Sequence, residues 1–293
     1  MFDYTAKYYK VTNEEECHQE FQYKDGLNVL QGEFQERGSC VPGGLYFTDI
    51  DSIWDFLDYG IFIREITLPE DAKVVKDNNK WRADKLILGN KYTIEEFVEE
   101  CPEKADWSKI SHQKLSEGFI KKFAEKLDWI WISYHQDLSE GFIEKYMEKV
   151  NWSYISSHQK LSEDFIDKFA EKVDWTYISE HQRLSEGFIE KYMEKVHWIC
   201  ISMCQKLSEA FIEKYMDKVD WIKVSSHQKL SEKFIEKYMD KVDWSKISSN
   251  QRLSEGFIEK YMDKVDWTGI LRRQNLSHEF IGKFEKFAEI HSK

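Results

Sequence analysis

One unit of 23 residues governs this sequence. It reads D-W-x-x-I-S-x-H-Q-x-L-S-E-x-F-I-x-K-Y-x-x-K-V. Eight tryptophans mark its copies, at Trp107, Trp129, Trp152, Trp175, Trp198, Trp221, Trp244 and Trp267; the first step is 22 residues and the next six are 23. No other feature limits the fold as much. A unit this short has to bury its apolar face against the units before and after it.

The copy NWSYISSHQKLSEDFIDKFAEKV, residues 151–173, predicts two helices. Ser162 is an N-cap, because its hydroxyl can accept an unpaired backbone N–H of the first turn. Leu161 before it and Ile166 four residues after it form a hydrophobic staple. Phe165, Ile166, Phe169 and Val173 then lie on one stripe, which predicts a longer helix of about three turns. Asn151 caps a second, shorter helix. Asp takes that place in every other copy except one, where His197 stands. In the short helix Trp152, Ile155, Ser156 and Gln159 share a face, and Tyr154, Ser157 and His158 share the opposite one. Such short helices depend on tertiary packing. The expected fold is an α+β N-terminal domain followed by an all-α solenoid of eight two-helix repeats.

Both ends of the array look capped. Thr93 and Glu96 form a capping box, with Tyr92 and Phe97 as its staple. Phe97, Val98, Cys101 and Ala105 repeat the long-helix pattern, modified by Pro102. After Trp267 the pattern gains charge and loses its last Val, as a C-terminal cap does. The expected division is a head domain over 1–92, a capping helix over 93–106 and the solenoid over 107–293.

Three polar columns invite a chemical reading. The histidine column runs His112, His135, His158, His181, Cys204, His227, Asn250, Arg273. Arginine cannot ligate a metal, and equivalent histidines are a whole repeat apart, so local hydrogen bonding at the helix end is expected and no metal. The glutamine column, Gln113 to Gln274, has no exception and lies on the tryptophan face. It reads as a ladder that satisfies backbone groups between helices. Lysine stands six residues after each cap serine, with acids beside it. These predict basic and acidic stripes on a solvated face, paired within and between repeats.

Positions that vary between copies say more about partners. WIWISYHQ places Trp131, Tyr134 and His135 on the outer face; the next copies place Tyr154 and His158, then Tyr177 and His181. Aromatic side chains in such a patch are candidate anchors for a protein partner. The alternative is lateral packing against residues 1–92.

Residues 1–92 differ in grain. KYYKVT, IFIREITL, AKVVK and DKLILG read as strands, DNN at 77–79 as a turn, and CVPGGLYFT as a loop entering a strand. Thr48 and Asp51 suggest a capping box before the stripe Ile50, Ile53, Trp54, Leu57, closed by Gly60. His18, Cys17, Cys40, Asp49, Asp51, Arg64 and Asp84 form no spaced catalytic motif, and the Gly43–Gly44 pair is too short to cradle a phosphate. No catalytic residue and no cofactor are assigned.

The net charge is −12, and both residues 1–95 and the remainder are acidic, so nucleic acid is not an expected partner. No apolar run is long enough to span a membrane, and the first residues carry no signal-peptide core. Five cysteines without a framework of spacings fit a reducing, intracellular compartment.

FQYKDGLNVL, CVPGGLYFTD, FLDYGIFIREITLP and KWRADKLILG together resemble the N-terminal domain of many ankyrin-repeat and other repeat proteins of giant viruses of amoebae. The repeat units resemble those of uncharacterised viral and bacterial proteins. The resemblance implies a viral protein built as head plus solenoid, in the host cytoplasm or in the virion. It brings no functional residue. The T-P-L-H signature of ankyrin repeats is absent. The expected function is a non-enzymatic interaction or scaffold protein. The alternative is an enzymatic or nucleotide-binding head, targeted by the solenoid. GGLYFTD is faintly similar to ADP-ribosyltransferase-like folds, but no matching His, Tyr and Glu set accompanies it.

Overall fold

The computed structural model describes residues 3, 6–18, 20–38 and 41–283; Cys40 and the last ten residues of the expected C-terminal cap lie outside them. The chain divides into two compact units, Met1–Val150 and Asn151–Lys293.

Among the described residues the first unit opens with nine strands: β1 (Tyr8–Thr12), β2 (Cys17–His18), β3 (Phe21–Gln22), β4 (Gly26–Val29), β5 (Leu45–Phe47), β6 (Phe62–Thr67), β7 (Val74–Asp77), β8 (Lys80–Ala83) and β9 (Lys85–Thr93). They form an antiparallel sheet β1-β6-β9-β4, a sheet β5-β8-β7 and a ribbon β2-β3. Tyr9 and Thr48 exchange backbone hydrogen bonds of 2.7 and 2.8 Å, which brings β1 beside the end of β5. Tyr8, Leu45, Phe47, Ile66, Leu86 and Leu88 fill the core. The expected strands are present, as is the 77–79 turn, where Asn78 takes φ 59°. The short strands β2, β3 and β4 and the polar strand β8 were not expected, because they carry no run of alternating apolar residues.

The segment after β5 departs from expectation. It is a 3-10 helix, Ile53–Tyr59, and its N-cap Ser52 makes no side-chain capping bond. The Thr48–Asp51 capping box does not form. Thr48 Oγ1 instead donates to Asn79 O at 2.6 Å, and Asp51 pairs with Lys104 at 3.1 Å. Tertiary contacts therefore use both side chains. The stripe itself is sound, with Ile53, Trp54 and Leu57 buried. Gly60 ends the segment where a Cβ would lie 2.0 Å from Thr12 O, so only glycine fits.

The same unit continues with helix Ile94–Glu100, which has the full Thr93–Glu96 capping box and a Tyr92–Phe97 ring contact at 5.9 Å. The first repeats follow, with helices Trp107–Ile110, Glu117–Lys122, Trp129–His135 and Glu140–Lys145.

The second unit is a series of repeats in solenoid arrangement. Short helices Trp152–His158, Trp175–His181, Trp198–Cys204, Trp221–His227, Trp244–Asn250 and Trp267–Arg273 alternate with long-helix segments such as Glu163–Lys168 and Glu186–Lys191. Each short helix packs on the next. Isoleucine or valine fills both helix columns completely, as at Ile155, Ile166, Ile178, Ile189, Ile201, Ile212 and Val224, all 0% exposed. Each such side chain stabilises the array by roughly 1.5–3 kcal/mol. The phenylalanines are buried beside them, while most tryptophans are only half-buried.

The caps form as expected. Ser162 Oγ accepts from Phe165 N at 3.2 Å, and Asp174 Oδ1 from Thr176 N at 3.0 Å. His197, the exception, makes no capping bond.

The long helix is shorter than its apolar stripe predicted. It ends at Lys168, Phe169 adopts φ −113° and ψ 28°, and a turn carries the chain on to Val173. In a continuous helix Asp174 N would donate to Ala170 O. Here Asp174 N donates to Ser156 Oγ at 2.9 Å, and Ala170 O accepts Trp175 Nε1 at 2.9 Å. The exchange recurs downstream: His197 N goes to Ser179 Oγ and Trp198 Nε1 to Met193 O. Two side chains of the short-helix column thus replace the hydrogen bond that a third turn would make.

Candidate functional site

The polar columns are structural. Gln205 Oε1 accepts Leu184 N at 3.0 Å, while Nε2 donates to Ser179 O at 2.9 Å and Gln182 O at 2.7 Å. Gln182, Gln228 and Gln251 repeat this three-bond pattern on their preceding copies, and Gln136 bonds both Leu115 N and Gln113 O in the first unit. This is the ladder predicted from the sequence. A serine column that the sequence placed only on the buried face does similar work: Ser202 Oγ donates to Trp198 O and accepts Asp220 N.

Charged columns also join copies. Within each unit the glutamate after a cap serine accepts the backbone N–H of the next cap, as Glu186 does from Ser208 at 2.5 Å. Glu95 of the capping helix does the same for Ser116. Lys237 pairs with Glu213 at 2.5 Å and Lys218 with Glu194 at 2.8 Å, each on the preceding copy. The lysine and acid stripes therefore pair between repeats.

The outer face of the short helices is what these ladders leave over. In the first unit, Trp131 is half-buried and sits between two imidazoles, 3.8 Å from His112 and 5.4 Å from His135, ring centre to ring centre. Tyr134 meets His135 edge-on at 4.6 Å and is 39% exposed. In the second unit, Tyr154 is half-buried with its ring 5.9 Å from His158, and Tyr177, 39% exposed, lies 6.0 Å from His181. His158 Nδ1 is 2.7 Å from Ser157 Oγ, and His227 Nδ1 is 3.2 Å from Lys223 O, so the column makes local hydrogen bonds at the helix end. The histidines keep their rings exposed. Tyr154 and Tyr177 each lie one helical turn before their histidine, as Trp131 lies before His135, which the sequence already specified.

A second site escaped the sequence reading. β1, β2, β5, β8 and the Ile53–Tyr59 helix line a cavity of about 120 Å³ that is open to solvent. Lys10 is 5% exposed; its ammonium donates to Tyr46 O at 3.1 Å and lies 4.6 Å from the Tyr23 ring centre. Burial, and secondarily the nearby Lys80, brings Lys10 down to about 7. Burial, then Lys10 and Lys80, holds His18 down at about 4, so its ring is neutral. Lys10 was passed over because it sits in a short strand whose neighbours are tyrosines and valine. Only a fully buried strand, with no solvent face for a charge, would have given it away.

Among the described residues no group of three His, Cys, Asp or Glu side chains is placed to hold a metal. No helix of the described residues is long and apolar enough to cross a membrane.

Comparison with known proteins finds relatives in Acanthamoeba polyphaga mimivirus. Uncharacterized protein R869 is 47% identical over 96 residues, which is 31% of this chain and 70% of that protein. The chain belongs to the family of this mimivirus protein. Putative ankyrin repeat protein R868 is 45% identical over 91 residues, 29% of this chain and 45% of that protein. Putative ankyrin repeat protein R229 is 44% identical over 84 residues, 26% of this chain and 27% of that protein. The chain thus spans less than half the length of either ankyrin-repeat relative. In this giant-virus repeat-protein family, the array of the present chain is built from 23-residue helical pairs rather than ankyrin units of about 33 residues. No family model matches the chain, and no solved structure matches it.

Proposed function

We propose that this protein is a non-enzymatic interaction protein that presents the outer face of its short helices to a protein partner. Trp131, Tyr134, His135, Tyr154, His158, Tyr177 and His181 are the proposed contact residues. The single observation that carries this reading is the Trp131 cluster, a half-exposed indole held between two imidazoles. The Gln, Ser, Glu and Lys columns are used up in bonds between copies, so recognition falls to the variable outer positions. Aromatic side chains of this kind anchor interfaces well. The partner's contacting segment carries apolar and basic side chains, in keeping with a net charge of −12. The named ankyrin-repeat relatives accord with a protein-binding role. The head over 1–92 supplies a second contact, and the partner is a protein of the infected host or of the virus.

Affinity purification from the infected cell, with the full chain and with a chain lacking 107–288, tests the reading. The full chain retains a partner that the shortened chain loses, and Trp131→Ala with Tyr134→Ala loses it while the circular dichroism stays that of the full chain. Equal retention by the double variant would refute it.

A further inference from the structure

The strand-rich region holds the cavity described above, and its lining is unusual for so acidic a protein. It contains Lys10, His18 and Lys80 and no aspartate or glutamate. The chain as a whole carries 54 acidic against 42 basic side chains. Among the described residues no carboxylate forms an ion pair with Lys10, although its side chain is almost wholly removed from solvent. A buried ammonium without a charged partner costs the fold several kcal/mol or gives up its proton, and an anion placed beside it restores the charge. Arg64, a deeply buried cation on β6, has such partners in Glu16 and Asp25. Lys10 has one carbonyl and one aromatic face. The rest of the wall is largely apolar, including Phe56 and Tyr59 on the 3-10 helix. A cavity of about 120 Å³ is slightly smaller than an engineered hole of about 150 Å³ that takes benzene. The cavity is open to solvent, and Tyr59 on its lining is 59% exposed, so a ligand can set its charged group at the lysines and leave part of its ring at the mouth.

We propose that this cavity binds a small organic anion, a single planar ring bearing a carboxylate. Lys10 and Lys80 supply its positive counter-charge, and Phe56 and Tyr59 cover the ring. His18, neutral, offers a hydrogen bond rather than a charge. Lys214, Lys237 and Lys260 of the repeats are exposed and paired with acids of the preceding copy, so they offer no buried charge.

Titration calorimetry on the full-length protein tests the proposal with three probes: benzoate, the neutral benzyl alcohol of the same size, and inorganic phosphate. Benzoate binds at millimolar concentration or better, and benzyl alcohol binds at least about tenfold more weakly, as loss of a charge-assisted hydrogen bond requires. Phosphate, which has no ring, binds more weakly than benzoate. Lys10→Met lowers benzoate affinity at least about tenfold. Lys80→Met, at a half-buried position that tolerates the change more readily, lowers it by a smaller factor. The proposal is overturned if benzoate fails to bind, if benzyl alcohol matches it, or if phosphate exceeds it. It is equally overturned if a folded Lys10→Met protein keeps full affinity. Should Lys10→Met not fold, unchanged affinity in Lys80→Met overturns it.

Discussion

The repeats and the strand-rich region satisfy their buried polar atoms in different ways. In the repeats the buried polar side chains are neutral, mainly Gln and Ser, and each bonds to the neighbouring copy. Every tryptophan indole for which a bond is described reaches a carbonyl five residues earlier, as Trp221 reaches Met216 O. Among residues 8–93 the buried polar side chains include cations: Lys10, Arg64 and Arg82. Their partners are particular rather than periodic, and among the described residues Arg64 Nε, Arg82 Nε and Trp54 Nε1 have no hydrogen-bond partner. A repeated unit can only use interactions that survive translation by one copy. A neutral amide with one acceptor and two donors does so at every step, whereas a buried charge needs a unique counter-group. The difference teaches where specificity for a small ligand can reside: in the region that does not repeat.

The strongest way to break this comparison is to remove one rung. Gln205→Leu strands Ser179 O, Gln182 O and Leu184 N in a buried place, and should cost about 4 kcal/mol. Gln274→Leu removes the same three bonds at a half-buried position, where water replaces them, and should cost markedly less. Guanidinium denaturation followed by circular dichroism compares the two; equal losses would mean that the ladder owes nothing to burial.

The strand-rich region should respond to pH through Lys10. Lys10 stands at about 7 in the folded chain against an ordinary 10.5. Below pH 7 it is protonated in both states and the burial cost is fully present. Between about 7 and 10.5 the folded state releases a proton that the unfolded state keeps, so stability rises with pH. Lys80, His18, Tyr46 and Tyr23 face it, and of these Tyr23, pushed up by burial, acts in the opposite sense above its ordinary 10.0. Lys10→Met should flatten the rise, read as unfolding midpoints across that range. An unchanged slope would remove Lys10 from the account.

A smaller effect should come from completing the periodic cap. His197→Asp supplies the side-chain cap that helix Trp198–Cys204 lacks, and should raise stability by about 1 kcal/mol. No gain would show that the His197 contact with Cys200, at 3.2 Å, already does the work of a cap. The smallest effect belongs to the exposed ladder. Lys237→Ala breaks the pair with Glu213 in open solvent, and its unfolding midpoint should be indistinguishable from that of the unaltered chain at moderate salt. A clear loss would mean that the surface columns stabilise the array as the buried ones do.

Much of the array was legible because its signals are local. Ser162, Asp174 and the Thr93–Glu96 box act within one helical turn, and the sequence names them directly. The role of the glutamine column was legible for another reason: a polar column without exception on an apolar face has to be bonded. The length of the long helix was not legible, because its end depends on Ser156 and Trp175 side chains taking over backbone bonds. The 3-10 helix was misjudged at its start for a similar reason, since Thr48 and Asp51 are engaged by Asn79 and Lys104, distant in sequence. The outer-face residues were named from their variation. Their pairing, Trp131 between His112 and His135, needed the stacking of two copies.

By itself, the sequence determined the period, the two helices per copy, their caps and the face each one buries. These follow from hydrogen bonds and side-chain spacing within a few residues. Tertiary structure alone decided which backbone groups leave the helices to bond a neighbouring side chain. It also decided that Lys10, an ordinary lysine in a short strand, lies beside Lys80 and His18 in one cavity. Both depend on segments far apart in the chain meeting, and no local pattern encodes the dielectric surroundings such a meeting creates.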